Sequence, residues 1–120
     1  NDTQRAVETA VEMQEKIKDL NKEREQRDEP PILVGAGINK GLVVSGNIGS
    51  RDLMDYTVIG DTVNVASRLC AAAGPGEIMV SEPVYRIIKR SFSSKKLSPI
   101  KVKGKEKKVP VFLVKHKKSK

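Results

Sequence analysis

Stretches of helical period and stretches of strand period alternate along this chain, which predicts an α+β fold. Three observations carry that prediction. Ala6, Ala10, Met13, Ile17 and Leu20 recur at alternating spacings of four and three with charged residues elsewhere, the stripe of an amphipathic helix. Ile32 to Ile48 and Met54 to Ile59 are instead rich in β-branched residues and punctuated by glycine, as strands are. After Gly60 the period returns to that of a helix, from Val63 to Ala73.

Composition bounds the classes available. A chain of 120 residues with 38% hydrophobic and 32% charged side chains suits one globular domain with a modest core. No apolar run approaches the length of a membrane span, and no charged-then-apolar leader is present, so the segment is expected to have no membrane contact and to lie in the cytoplasm, anchoring of a parent protein being open. A single cysteine, Cys70, excludes an internal disulfide and suits a small core residue in a reducing compartment. The net charge of +8 is unevenly spread: residues 1–85 balance to −5 and residues 86–120 to +13. The basic end implies contact with a polyanion, whether triphosphate, nucleic acid or acidic lipid, and does not choose among them.

The elements follow in order. Residues 1–29 read as one helix and its end, closed by Pro30 and Pro31, which cannot continue it. Residues 32–60 read as strands, the first two joined by a turn at Asn39, Lys40 and Gly41. The glycines from Gly35 to Gly49 lack both dinucleotide-binding and phosphate-loop spacing, so tight turns and close packing account for them better. Residues 61–73 form the second helix, capped by Asp61 or Thr62 and closed by Gly74 to Gly76. In residues 77–115, Ile78 to Val80 is a short strand and Ser81 caps a helix through about Arg90 with Pro83 in its first turn. Ser91 to Ser98 is then a loop, and two strands about Gly104 to Lys108 finish the fold. Residues 116–120 are a basic tail, in which His116 has no second residue spaced for metal binding.

The fifteen residues from Met54 to Arg68, MDYTVIGDTVNVASR, hold most of the functional signal. Asp55 and Thr57 share one face of the strand, and Gly60 turns the chain into the helix. On that helix Ala66, Leu69, Cys70 and Ala73 cluster on one side, while Asn64 and Arg68, four apart, stack nearly opposite. A guanidinium fork beside an amide is suited to phosphate and hydroxyl groups. On spacing alone an exposed arginine and a solvated amide are the commoner arrangement, since a charged residue on a helix is usually a solvated one.

This stretch resembles the signature of the class III nucleotidyl cyclases, the catalytic domains of adenylyl and guanylyl cyclases. INKGLVVSGNIGS resembles the family's preceding hairpin, GPGEIMVSEPVY its following strand and helix, and IKVKGKEKKVPVFLV its closing hairpin. The resemblance implies a ferredoxin-like α/β sandwich of the class III cyclase type. It also implies an incomplete domain, the C-terminal portion only, without the N-terminal strands and the metal site. It implies that Asn64 and Arg68 are catalytic, Asn64 orienting the ribose and Arg68 stabilising the α-phosphate. Thr57 would read the purine and Lys103, with Lys105 a weaker candidate, would hold the outer phosphates. A threonine at that position resembles the bacterial subgroup selective for adenine, so Asp55 is not the matching carboxylate.

The implied activity is that of an adenylate cyclase, converting ATP to cyclic AMP and pyrophosphate for signalling, with sites at a homodimer interface. Two divalent metal ions, Mg or Mn, would be held by aspartates outside this segment, so the fragment alone is expected to be inactive. The chain departs from the family at one point: a phosphate-contacting arginine is expected just before the glycine of the first strand, and Ile32, Leu33, Val34 and Gly35 stand there. Alternatives are a silent cyclase-like regulatory and dimerisation module, a guanylate cyclase, or a basic nucleic-acid-binding domain. The last lacks a stacking platform, the aromatics being Tyr56, Tyr85, Phe92 and Phe112 only, and no nucleic-acid partner is expected.

Overall fold

A computed structural model describes residues 2–40, 42–48, 61–102 and 105–118. Its elements are α1 (Asp2–Gln26), β1 (Val34–Asn39), β2 (Leu42–Asn47), α2 (Asp61–Ala72), β3 (Ile78–Ser81), α3 (Glu82–Ile88), β4 (Phe92–Ile100) and β5 (Val109–Lys117). The strands form one mixed sheet of order β2-β1-β3-β5-β4, in which only β1 and β3 run parallel. This is the α+β architecture expected, with helices on both faces of the sheet. The strand predicted over Met54 to Ile59, the closing glycine Gly60, Lys103 and the last two residues of the tail lie outside the described residues.

Strand alternation divides the core in two. Ile78 and Val80 of β3, Phe112 and Val114 of β5, and Ala36 and Ile38 of β1 point to one face, where they meet Val7 and Ala10 of α1 and Val84 and Ile88 of α3. Tyr85 stacks flat on Phe112 there, with ring centroids 4.0 Å apart. Met79, Val111 and Leu113 point to the other face and pack with Val65, Leu69 and Ala73 around α2.

The helix α1 ends more specifically than the proline pair alone would require. Asp28 adopts φ +57°, the Asp28 amide donates to the Glu25 carbonyl and the Glu29 amide to that of Arg24, which together make a Schellman closure. The chain then turns back along α1, and the Asn21 side chain pairs with both backbone groups of Ile32, at 2.8 and 2.7 Å. Farther along, Gln14 Nε2 donates to the carbonyls of Val34 and Glu77, tying α1 to the starts of β1 and β3. The buried stripe is narrower than the spacing implied: Val7 and Ala10 are sealed, whereas Leu20 is 38% exposed. A helix of 25 residues is longer than the six-residue strands beneath it, so its last turns overhang the sheet.

Three expectations are corrected. Ser91 to Ser98 is largely strand, because Phe92 is buried and β4 pairs with β5 from Phe92↔Lys117 to Ile100↔Val109. Its serines and lysines suit an edge strand exposed to water, and Pro99 falls where the register shifts between Leu97 and Ile100. The same pairing draws His116 and Lys117 out of the supposed tail and into β5. Ser81 does precede α3, but its side chain makes no capping bond because its hydroxyl donates to Asn39 instead, and α3 ends at Ile88. The α2 helix is described from Asp61 onward, and the cap expected at Asp61 or Thr62 borders residues outside the described ones.

Glycine acts in two distinct ways. In the loop after α2, the Glu77 amide donates to the Gly74 carbonyl, and Pro75 and Gly76 (φ +75°) occupy the centre of the turn, as a type II turn requires. The strained position is therefore Gly76, beyond the helix end. On β1 the need is for space: a Cβ on Gly37 would lie 2.3 Å from the Cys70 amide nitrogen and 2.4 Å from the Ala66 carbonyl oxygen. Gly37→Ala is expected to destabilise the fold by about 3 kcal/mol or more, since backbone cannot yield as a side chain can. Gly76→Ala, with nothing within 4 Å of the new Cβ, should cost only the left-handed strain, about 1 kcal/mol. Denaturant titrations of the two variants would compare these costs, and equal losses would contradict the close-approach account.

Candidate functional site

The sequence of α2 pairs small or branched apolar residues at one face with polar ones at the other, and packing sorts them accordingly. Val65, Ala66, Leu69, Cys70 and Ala73 are all buried. Ala66 and Cys70 sit over Gly37, so the helix backbone rests almost directly on β1. Cys70 Sγ also lies 3.5 Å from the Gly35 carbonyl, to which it can donate a weak hydrogen bond. Asn64 and Arg68 project from the remaining side. Asn64 is half-buried and Arg68 exposed, and neither makes a hydrogen bond or ion pair with another described residue. The two stand one helical turn apart on a rigidly seated helix, their polar ends free to engage a ligand.

The first turn of α2 has a second attachment. Asn39, at the end of β1, is buried with 4% of its surface exposed, and its Nδ2 donates to the Thr62 carbonyl at 3.1 Å. Its Oδ1 accepts from the Ser81 hydroxyl at 2.8 Å. One side chain thus joins the ends of β1 and β3 to the start of α2. The sequence marks Asn39 only as a turn former, and it does border the turn: Lys40, with φ +50°, is the first of two residues between paired Asn39 and Leu42. An asparagine beside a hairpin turn carries no local signal that its amide faces inward.

Of the four site residues read from the sequence, the structure describes Asn64 and Arg68 and brings them to one side of α2. Thr57 and Lys103 lie outside the described residues. Lys105, the weaker candidate, is half-buried after the end of β4. Among the described residues no group of three or more His, Cys, Asp or Glu could hold a metal ion, so these residues do not fit a metal centre of their own. A groove of ≈ 630 Å³ lies on the opposite face of the sheet, between α1 and the end of β5, and Phe92, Val114 and Gln14 help to line it. Neither Asn64 nor Arg68 borders it, so cavity size does not mark the arrangement suited to nucleotide chemistry. Among the described residues no helix is long and apolar enough to cross a membrane.

The sequence pattern of the adenylate and guanylate cyclase catalytic domain matches residues 1–116. An adenylate cyclase of Anabaena cylindrica is 37% identical over 119 residues, covering 92% of this chain and 24% of that protein. Among solved structures, an adenylate/guanylate cyclase/hydrolase from Silicibacter pomeroyi superposes with a TM-score of 0.69 at 29% identity, covering 93% of this chain and 60% of that one. The catalytic core of a rhodopsin-guanylyl cyclase with converted specificity, solved with ATPalphaS, gives the same TM-score and identity over 98% of this chain and 60% of its own. The chain belongs to the class III nucleotidyl cyclase catalytic domains, and the part of the domain described has the fold of an incomplete cyclase. It spans about a quarter of the curated relative and three-fifths of these solved chains.

Burial pushes the Cys70 thiol above its ordinary pKa, so the reactive thiolate is suppressed near neutrality. Alkylation of Cys70 at pH 8 is expected to run ~10-fold or more slower in the native protein than in the denatured chain. Quenched mass-spectrometric time courses would measure the ratio, and equal rates would show that the α2–β1 contact opens freely.

Proposed function

We propose that this chain is part of an adenylate cyclase that converts ATP to cyclic AMP and pyrophosphate in second-messenger signalling, with active sites formed between two copies. The carrying observation is the side of α2 that displays Asn64 and Arg68 while its opposite side is locked onto Gly37. In the reaction, the ribose 3′ oxygen attacks the α-phosphorus of the same nucleotide. The new P–O bond closes the ring, the bond to the β-phosphate oxygen breaks, and pyrophosphate leaves as the hydroxyl loses its proton.

Arg68 would stabilise the charge that builds on the α-phosphate, for which a planar, permanently charged fork is suited. Asn64, one turn earlier, would hold the ribose so that the 3′ oxygen lies in line with the bond to be broken. Thr57 would hydrogen-bond the adenine edge, and Lys103 would hold the β- and γ-phosphates. A second copy of the full-length protein would contribute, from residues outside this segment, the carboxylates for two divalent metal ions, which would supply Lewis-acid stabilisation of the phosphates. Support comes from the family membership and from the adenylate cyclase of Anabaena cylindrica among its relatives.

A second reading is a cyclase-like module that keeps the fold and pairs with another copy without turning over nucleotide. It is favoured by the segment Ile32 to Gly35, which offers no basic side chain where the family's phosphate-contacting arginine is expected. An assay of the full-length protein with ATP and GTP separates the readings, since only the first yields a cyclic nucleotide. In that protein Arg68→Ala is expected to cut turnover ~100-fold or more. Its stability should stay within about 0.5 kcal/mol of the parent, because the residue is exposed. A variant that folds and cyclises ATP at the parental rate would remove Arg68 from the mechanism.

A further inference from the structure

Asn39 is a buried amide with an outward consequence. Polar side chains at 4% exposure require partners, and Asn39 has found two on different elements, the Thr62 carbonyl of α2 and the Ser81 hydroxyl at the end of β3. The Thr62 carbonyl belongs to the first turn of α2, and Asn64 follows two residues later. The sheet contact at Gly37 seats the middle of the helix through Ala66 and Cys70, setting its height above β1. Leu69 and Ala73 pack the later turns, Ala73 lying against Gly35, whereas Thr62, Val63 and Asn64 of the first turn are only half-buried. The Asn39 bond adds a polar attachment at that less buried N-terminal end. The Thr62 carbonyl, an acceptor only, requires Nδ2 on the side of α2, and the Ser81 hydroxyl holds the amide in that orientation by donating to Oδ1.

We propose that Asn39, oriented by Ser81, is a positioning residue for the nucleotide site, anchoring the first turn of α2 so that Asn64 and Arg68 keep their shared direction. This rests on the functional reading of Asn64 and Arg68 given above. Positioning of this kind acts on the chemical step more than on binding, because a small misplacement of a group that meets the transition state lowers kcat out of proportion to its effect on KM.

The test uses the full-length protein and three single variants. Asn39→Asp keeps the shape and removes the donor to Thr62. Ser81→Ala removes the orienting hydroxyl, and Ile38→Val trims the opposite face of the same strand as a stability control. Hydrogen exchange of the α2 amides that follow Thr62 reads the anchoring without reference to activity. At least tenfold faster exchange is expected in Asn39→Asp, a smaller increase in Ser81→Ala, and none in Ile38→Val. Steady-state assays should show kcat reduced ~10- to 100-fold in Asn39→Asp with KM for ATP within about threefold of the parent. That loss should shrink in an Arg68→Ala background, where the group being positioned is gone. Unchanged exchange in Asn39→Asp, or parental kcat in that variant, overturns the proposal. An Arg68→Ala variant at the parental rate instead overturns the functional reading, a result that the exchange measurements do not depend on.

Discussion

The structure depends on one contact in which no side chain stands between two backbones. At Gly37 the strand β1 approaches α2 so closely that a single added carbon would meet the Ala66 carbonyl and the Cys70 amide. Residues on the helix side must then be small where the backbones meet, and Ala66 and Cys70 are. They must be larger where the surfaces diverge, and Val65 and Leu69 fill those flanks against Met79, Val111 and Leu113. Burying a leucine of that kind stabilises by about 2 kcal/mol, so the flanks supply adhesion and the glycine supplies distance. The polar side of α2 is thereby forced outward, and the two described candidates, Asn64 and Arg68, lie on it.

The two faces of the sheet are built differently. The face under α1 and α3 holds Phe92, Phe112, Ile38 and Ile88, with Tyr85 stacked on Phe112. Among the described residues the face under α2 holds no aromatic ring: its cluster is aliphatic, with Cys70 and the Asn39 amide beside it. Bulk on the first face tolerates repacking, because flexible hydrophobes can redistribute volume. The second face has little to redistribute, since a glycine at van der Waals limit leaves no slack. Precision in the direction of Asn64 and Arg68 is therefore cheap to keep and easy to lose.

Much of this was legible in the sequence where the signal was local. The alternation of apolar and polar positions on α2 separates Ala66, Leu69, Cys70 and Ala73 from Asn64 and Arg68, and the burial follows that division. The hairpin of β1 and β2 was likewise visible from its β-branched residues and its turn. What failed was decided by partners distant in the chain. The serines and lysines of β4 look like a loop until β5 supplies the hydrogen bonds, and a pairing such as that of Leu97 with Val111, 14 residues further along, is invisible to a local pattern. Ser81 has the composition of a cap, yet Asn39, 42 positions away, competes successfully for its hydroxyl. The direction of the Asn39 amide could not be seen at all, since turn propensity concerns backbone and says nothing of burial. Thr57 and Lys103 were read by resemblance, and no geometry for them enters these arguments.

An exposed guanidinium is a weak electrostatic tool, and that constrains any chemistry assigned to Arg68. At 4 Å, opposite unit charges attract by about 1 kcal/mol in bulk water and by about 4 kcal/mol where the effective dielectric falls to 20. Salt screens the first case further and the second much less. Stabilising a transition state ~100-fold requires roughly 2.7 kcal/mol, which the water-exposed case cannot supply. Arg68 in the described chain faces solvent, so its proposed role demands that another surface close over the nucleotide and expel water. The demand is physical and independent of family: a charge placed on the outside of a rigid helix becomes catalytically useful only when something covers it. A second copy of the full-length protein, offering carboxylates and metal ions from residues outside this segment, would meet that demand and complete the proposed site in the same step.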